Sequence, residues 1–291
     1  MEAADQTLWR GGALTVNGPT DLQALLKARY GAAAPTPLTD DNPVIGTLLQ
    51  HRSVRSYTPA AVSDDALSLM LAAAQSASTS SNLQCWSVVA VREPERKQRL
   101  AVLAGDQRHI RECPLFLVWL ADLARLDTTG ERFQLRRDGL EYMEMLMIGV
   151  IDAALAAQNA AVAAEAQGLG IVYIGGMRDR PEEVAAELGL PPRTAAVFGM
   201  CAGHPAPQRP TTIKPRLPAT AVLHHERYDT GAHIAPVDEY LQTASAFYQA
   251  QQMKTHGNWA EHSLHRVRGP EAMRGRERLA EALRARGFPS R

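Results

Sequence analysis

Short apolar runs rich in β-branched residues alternate along this chain with longer stretches at helical spacing. Trp86-Ser87-Val88-Val89-Ala90-Val91 and Leu115 to Leu120 have the length and bounding polar segments of core strands. Leu169 to Ile174 and Ala195 to Cys201 read the same way, the first running into Gly175 and Gly176. Helices are predicted over 44–50, 63–76, 95–103, 181–188 and 237–252. In the second of these, Ser63 is the N-cap, Asp64 and Asp65 sit in the first turn, and Leu67, Met70, Leu71 and Ala74 share one face. The longest predicted helix runs from about Asp138 to Gln167 and is closed by Gly168. Between Glu144 and Gln167 its only polar side chains are Asp152, Gln158, Asn159 and Glu165. A helix apolar nearly all round must be covered on most sides, so a subunit interface is the preferred second wall. Met143, Met145 and Met147 on it read as adaptable packing.

Outside this pattern, residues 1–43 read as an N-terminal arm, with one helical patch at Asp21 to Tyr30 and a Pro-, Ala- and Thr-rich piece after it. Residues 44–291 read as the main domain. Its C-terminal part is a helical excursion that ends in a tail, Arg266 to Arg291, holding eight Arg and three Glu and expected to be a solvated helix.

The chain's 291 residues are 45% hydrophobic, enough for a sizeable core. Lys and Arg balance Asp and Glu at 31 each, so no overall field points to nucleic acid or to an anionic membrane; a small molecule is the expected partner. Cys85, Cys113 and Cys201 are odd in number and without CxxC spacing, which argues against a disulfide framework and a zinc site and suits a reducing cytoplasm. Met1 to Asp5 lacks a signal-peptide pattern, and the most apolar run, Met145 to Ala164, is broken by Asp152, Gln158 and Asn159, so neither secretion nor a membrane span is expected. His262 and His265, with His224 or His225, read as solvated-helix histidines rather than metal ligands, and Cys85 as an inert buried thiol.

Candidate chemistry gathers in a few segments. If His51-Arg52-Ser53-Val54-Arg55 is extended, His51, Ser53 and Arg55 project to one side and place two cations and a hydroxyl along about 13 Å. Such an edge suits a mononucleotide-like ligand with a phosphate at one end and a polar ring at the other. Thr79, Ser80, Ser81 and Asn82 are poor helix continuers whose hydroxyls and N–H groups can meet a ligand. Gly175 and Gly176 either admit a ligand ring close to the backbone or form an ordinary strand-ending turn. Lys214-Pro215-Arg216-Leu217-Pro218 holds two cations stiffly between prolines, a candidate phosphate clamp.

From Asn42 to the C-terminus these segments, in this order, resemble the nitroreductase superfamily of flavoenzymes, in particular the oxygen-insensitive NADPH nitroreductases and NADPH–flavin oxidoreductases. The most specific parts are His51 to Arg55, Ser80 to Gln84, Tyr173 to Arg178 and Lys214 to Pro218. The resemblance implies an α+β fold, a central mixed sheet flanked by helices, with the long buried helix at a homodimer interface. It implies FMN as cofactor, NADPH or NADH as electron donor, and ping-pong transfer to a small-molecule acceptor such as a nitroaromatic or a quinone. It puts His51, Ser53, Lys214 and Arg216 at the FMN phosphate and ribityl chain with Arg52 beside them. Arg55 falls at the pyrimidine edge as the electronic tuning residue. Thr79, Ser80, Ser81 and Gln107 line the other side of the flavin, and Tyr173, Ile174, Gly175 and Gly176 lie beside its reactive edge. Asn82 and Arg276 match substrate-facing positions, the latter across an alignment gap, and no metal is implied. The branch's Arg for the NADPH 2′-phosphate has no match between Arg227 and Arg266, where only Lys254 is nearby, which leaves NADH use open. The first forty residues have no counterpart. A flavin reductase feeding a partner monooxygenase and a non-catalytic flavin-binding protein are the alternatives.

Overall fold

A computed structural model of the chain describes residues 21–35 and 42–288. In chain order its helices and strands begin with α1 (Leu22–Tyr30), α2 (Pro43–Gln50), α3 (Asp64–Gln75), β1 (Trp86–Val91), α4 (Pro94–Leu103), α5 (Arg108–Glu112) and β2 (Leu115–Asp122). There follow α6 (Ala124–Arg132), α7 (Met143–Ala166), β3 (Gly170–Ile174), α8 (Pro181–Leu188), β4 (Thr194–Gly203), α9 (Ile234–Ala250), α10 (Trp259–Arg266) and α11 (Leu279–Ala285). The chain packs as two compact units. One takes residues up to Arg52 together with 210–272, and the other takes 53–209 with 273–291. Most of the expected arm, residues 1–20 and 36–41, lies outside the described residues, as do 289–291 of the tail.

The second unit is built on an antiparallel sheet of order β1-β2-β4-β3. Its centre is β2, buried along nearly its whole length, and the pleat divides its side chains between two cores. Leu115, Leu117 and Trp119 face Met70 and Ala74 of α3 and Ala156, Ala160 and Ala164 of α7. Phe116, Val118 and Leu120 face Leu100 and Ala101 of α4, Ile110 of α5 and Val184 of α8. The fold is the expected α+β, and the sheet's mixed character rests on one parallel bridge, Ser53 to Ile171, on the free side of β3.

Two expected helices and one expected loop differ in detail. Ser63 caps α3 as predicted, accepting from the Ala66 N–H at 3.1 Å, but Leu71 points outward while Met70 and Ala74 turn in. The long helix begins at Met143, not Asp138, because Tyr142 is extended and Asp138 to Glu141 close a separate short turn. Nor is α7 covered on most sides within one chain: Met147, Ile151 and Leu155 are about half exposed. By length and composition α7 could cross a membrane. Its inner face, an alanine stripe with Asp152 buried among it, packs on α3 and the sheet. The polar loop expected at 105–109 runs only to Gln107, since Arg108 opens α5.

In the first unit, α1 and α2 pack together with the 213–217 segment through Leu22, Leu25, Ala28, Leu49 and Ile213. There α9 contributes Tyr240, Ala244 and Phe247 to a second small cluster with Leu217 and Trp259.

Candidate active site

In the first unit, Asn42 caps α2 by accepting from the Val44 and Ile45 N–H groups, and His51 ends that helix with its own N–H on the Leu48 carbonyl. Arg52 folds back to donate to the Gln50 carbonyl at 3.1 Å. Further along, Ile213 and Pro215 are buried while Lys214 and Arg216 are exposed, as an extended segment requires. Tyr240 donates to the Pro215 carbonyl at 3.1 Å, and Arg216 to the Lys214 and Pro215 carbonyls at 3.2 and 3.3 Å. The buried Arg29 draws the two segments together: its guanidinium donates to the carbonyls of Leu49, His51 and Lys214 at 2.9, 2.9 and 3.0 Å. The Arg216 N–H in turn donates to the Arg29 carbonyl at 2.9 Å.

In the second unit, Ser53 to Arg55 extend along β3, with the Val54 N–H on the Ile171 carbonyl at 2.8 Å. Val54 turns inward over Gly170, where any Cβ would lie 2.5 Å from the Val54 side chain. Arg55 turns outward and, among the described residues, makes no hydrogen bond or ion pair. Behind it, Tyr57 donates to the Val54 carbonyl at 2.6 Å, and burial raises its pKa. Burial, and then Arg55, lower the pKa of His109, with Glu112 opposing.

The polar turn after α3 is strained. Ser81, Asn82 and Gln84 all have positive φ, 47°, 57° and 55°, a conformation costing on the order of 1–3 kcal/mol for each non-glycine residue. Asp152 of α7, only 2% exposed, holds it: the carboxylate accepts from the Thr79 hydroxyl at 2.6 Å, the Cys85 N–H at 3.0 Å and the Ser80 N–H at 3.3 Å. Thr79 also accepts from the Gln84 N–H at 2.9 Å, so its hydroxyl is committed to the turn, while Ser80, Ser81 and Asn82 are exposed. The Cys85 thiol is pushed up to about 11, first by burial and then by Asp152 and Asp122, and so stays protonated near neutrality.

At the end of β3, Tyr173 donates to Gln158 at 3.3 Å and stacks edge-on with Phe198, and Ile174 is buried, which leaves its backbone to face a ligand. At Gly176 a Cβ would lie 2.6 Å from the Ala104 carbonyl and 2.8 Å from Gln107, so the glycine admits the protein's own α4–α5 turn. Gln107 is spent partly in that turn, donating to the Ala104 carbonyl at 2.8 Å. Arg276 is brought from the tail to this place. Its Nε donates to Asp179 at 2.5 Å, and its guanidinium lies 3.7 Å from where a Gly175 Cβ would stand.

Three residues here were missed in the sequence. Asp152 had a readable signal, a carboxylate in an otherwise apolar helix, which must meet buried donors. Asp179 and Arg29 had none, since their partners lie 97 and up to 185 positions away.

An α+β core, an extended edge beside β3 that carries Arg55, a strained polar turn and a glycine turn flanked by arginine make up the candidate site of the second unit. The model of the nitroreductase family matches residues 48–204, and that of the nitroreductase family C-terminal domain matches 214–291; the chain belongs to this family. It is 37% identical over 254 residues to FMN reductase (NADPH) of Bacillus subtilis, covering 85% of this chain and 98% of that protein. With the oxygen-insensitive NADPH nitroreductase of Salmonella typhimurium it shares 35% identity over 257 residues, 86% of this chain and all of the relative. The solved NADPH:FMN oxidoreductase from Vibrio harveyi, complexed with NAD+, superposes with a TM-score of 0.76 at 35% identity, over 86% of this chain and all of that one.

Proposed function

We propose that this chain is an FMN-dependent NAD(P)H oxidoreductase that passes two electrons from a nicotinamide to a small acceptor, a nitroaromatic, a quinone or a free flavin. Family membership and relatives of nearly full length named as FMN reductases and nitroreductases support the reaction class. The observation that carries the cofactor reading is the outward pair Lys214 and Arg216, whose backbone is pinned from behind by Arg29 and Tyr240. Two cations two residues apart on a fixed extended segment suit a phosphate, Arg as a fork and Lys as a point charge.

Bound FMN supplies a ring that accepts two electrons as a pair and gives them up again. The chain's own residues bind and orient it. His51, Arg52, Ser53, Lys214 and Arg216 hold the phosphate and ribityl end. Arg55, without a hydrogen bond or ion pair among the described residues, offers its guanidinium to the pyrimidine edge and stabilises negative charge there. Ser80, Ser81 and Gln107 line the ring, with Thr79 shaping their turn, and the backbone of Tyr173 to Gly176 borders the reactive edge. Asn82 and Arg276 face the exchanging substrates, and either nicotinamide serves as donor. The apolar outer side of α7 supports a homodimer, and the reading places the enzyme in the cytoplasm.

Replacing Lys214 and Arg216 together with Ala tests the clamp. Each charge-assisted contact is worth about 1.5–3 kcal/mol, so the folded double variant should lose FMN on dialysis. Full retention of FMN removes both residues from the site. Free flavin as the acceptor is favoured by the relatives named FMN reductases, and turnover of free FMN against a nitroaromatic separates the two uses.

A further inference from the structure

The helix α1 stands ahead of the family match, which begins at residue 48. Relatives matched over 98–100% of their own length leave about 15% of this chain unmatched. It is nonetheless built into the first unit. Asp21 caps it, Leu22 and Leu25 are buried with Ile213, and Ala28 packs toward Leu49 and Leu217.

Its last turn carries Arg29, 6% exposed. A guanidinium is a rigid planar fork of five donors, and here both of its terminal nitrogens end on backbone carbonyls. One nitrogen joins Leu49 and His51, and the other reaches Lys214. The residue's own carbonyl takes the Arg216 N–H. These four bonds therefore fall on the two segments that present His51, Arg52, Lys214 and Arg216. A carbonyl pinned inward fixes the side chains on either side of it, so a single buried side chain sets the spacing of cations that are far apart in sequence.

We propose that α1 is a brace added to the family core, and that Arg29 is a positioning residue that sets His51 and Lys214 for the phosphate of FMN. This rests on the reading that Lys214 and Arg216 bind that phosphate. Arg29 does not touch the ligand; it acts through the backbones it holds. Its consequence is discrimination, because FMN and riboflavin differ only in the phosphate.

The test measures dissociation constants of FMN and riboflavin by quenching of flavin fluorescence in the full chain, for Arg29→Met, Arg29→Lys and the Lys214→Ala/Arg216→Ala double variant. Arg29→Met should shrink the preference for FMN over riboflavin at least tenfold. Arg29→Lys, which keeps the charge but not the fork, should shrink it by a smaller factor. If Arg29→Met does not fold, Arg29→Lys carries the test, its fold checked by circular dichroism. A merely structural role predicts that both flavins weaken equally, and an unchanged preference overturns the brace. If the double variant loses the preference while the Arg29 variants keep it, the brace fails and the phosphate reading stands. If the double variant keeps the preference, both fall.

Discussion

Arg55 is the residue on which the proposed electronics depend. It lies outward on the Ser53–Arg55 edge, with no hydrogen bond or ion pair among the described residues, while its neighbour Val54 is locked inward over Gly170. A free, fixed guanidinium favours negative charge nearby, and a flavin ring carries most of that charge after two electrons arrive. Arg55→Gln keeps a donor and loses the charge. It should bind oxidised FMN, show a two-electron potential lower by roughly 30–65 mV, and be reduced more slowly by nicotinamide. Redox-dye equilibration reads the potential. Loss of FMN without a change of potential in reconstituted protein assigns Arg55 to the phosphate end instead. At this scale the sequence was legible where alternation decides, as for Val54 against Arg55. It was silent where tertiary contact decides. The Thr79 hydroxyl looks available to a ligand in sequence but is spent on Asp152 and Gln84, and Gly176 is glycine because Ala104 and Gln107 crowd it.

The turn after α3 is the element whose shape the site needs, and α7 supplies its anchor. Three left-handed residues in four positions persist because Asp152 satisfies the Ser80 and Cys85 N–H groups and the Thr79 hydroxyl together. Asp152→Asn keeps the size but turns an NH2 toward donors. A buried donor left without an acceptor costs about 1–3 kcal/mol, so the variant should melt at a lower temperature and bind FMN more weakly. Differential scanning calorimetry with an FMN titration checks both, and an unchanged FMN affinity separates the anchor from the site. The strands were readable because each is a short apolar run between breakers. That β2 alternates between two cores also follows from its pleat. The true start of α7 was hidden, since Asp138 to Glu141 are as compatible with a helix as with the short turn they form. The Asp-Thr-Thr-Gly run within α6 carries little helical signal of its own.

For the whole molecule, the outer side of α7 bears on the proposed homodimer: Met147, Val150, Ile151 and Leu155 form an exposed apolar stripe on a helix whose other side is already packed. In a homodimer through that stripe, Val150→Glu buries an unpaired carboxylate, which is costly enough to separate the subunits. Light scattering after size exclusion should find a monomer depleted of FMN. A monomer that keeps its FMN contradicts a cofactor dependent on the dimer. The overall α+β class was implied by the resemblance of the motif segments, whereas the joining of residues before Arg52 with 210–272 in one unit was not legible, because its ties, such as Arg29 to Lys214, span most of the chain. The central claim, electron transfer from nicotinamide through a bound flavin, is tested most directly by anaerobic titration of the purified protein followed by visible absorbance. The account predicts a yellow protein that bleaches with about one equivalent of NADPH or NADH and recovers its colour when a nitroaromatic or quinone is added. A protein that carries flavin but stays yellow with both nicotinamides, or that binds no flavin at all, contradicts it.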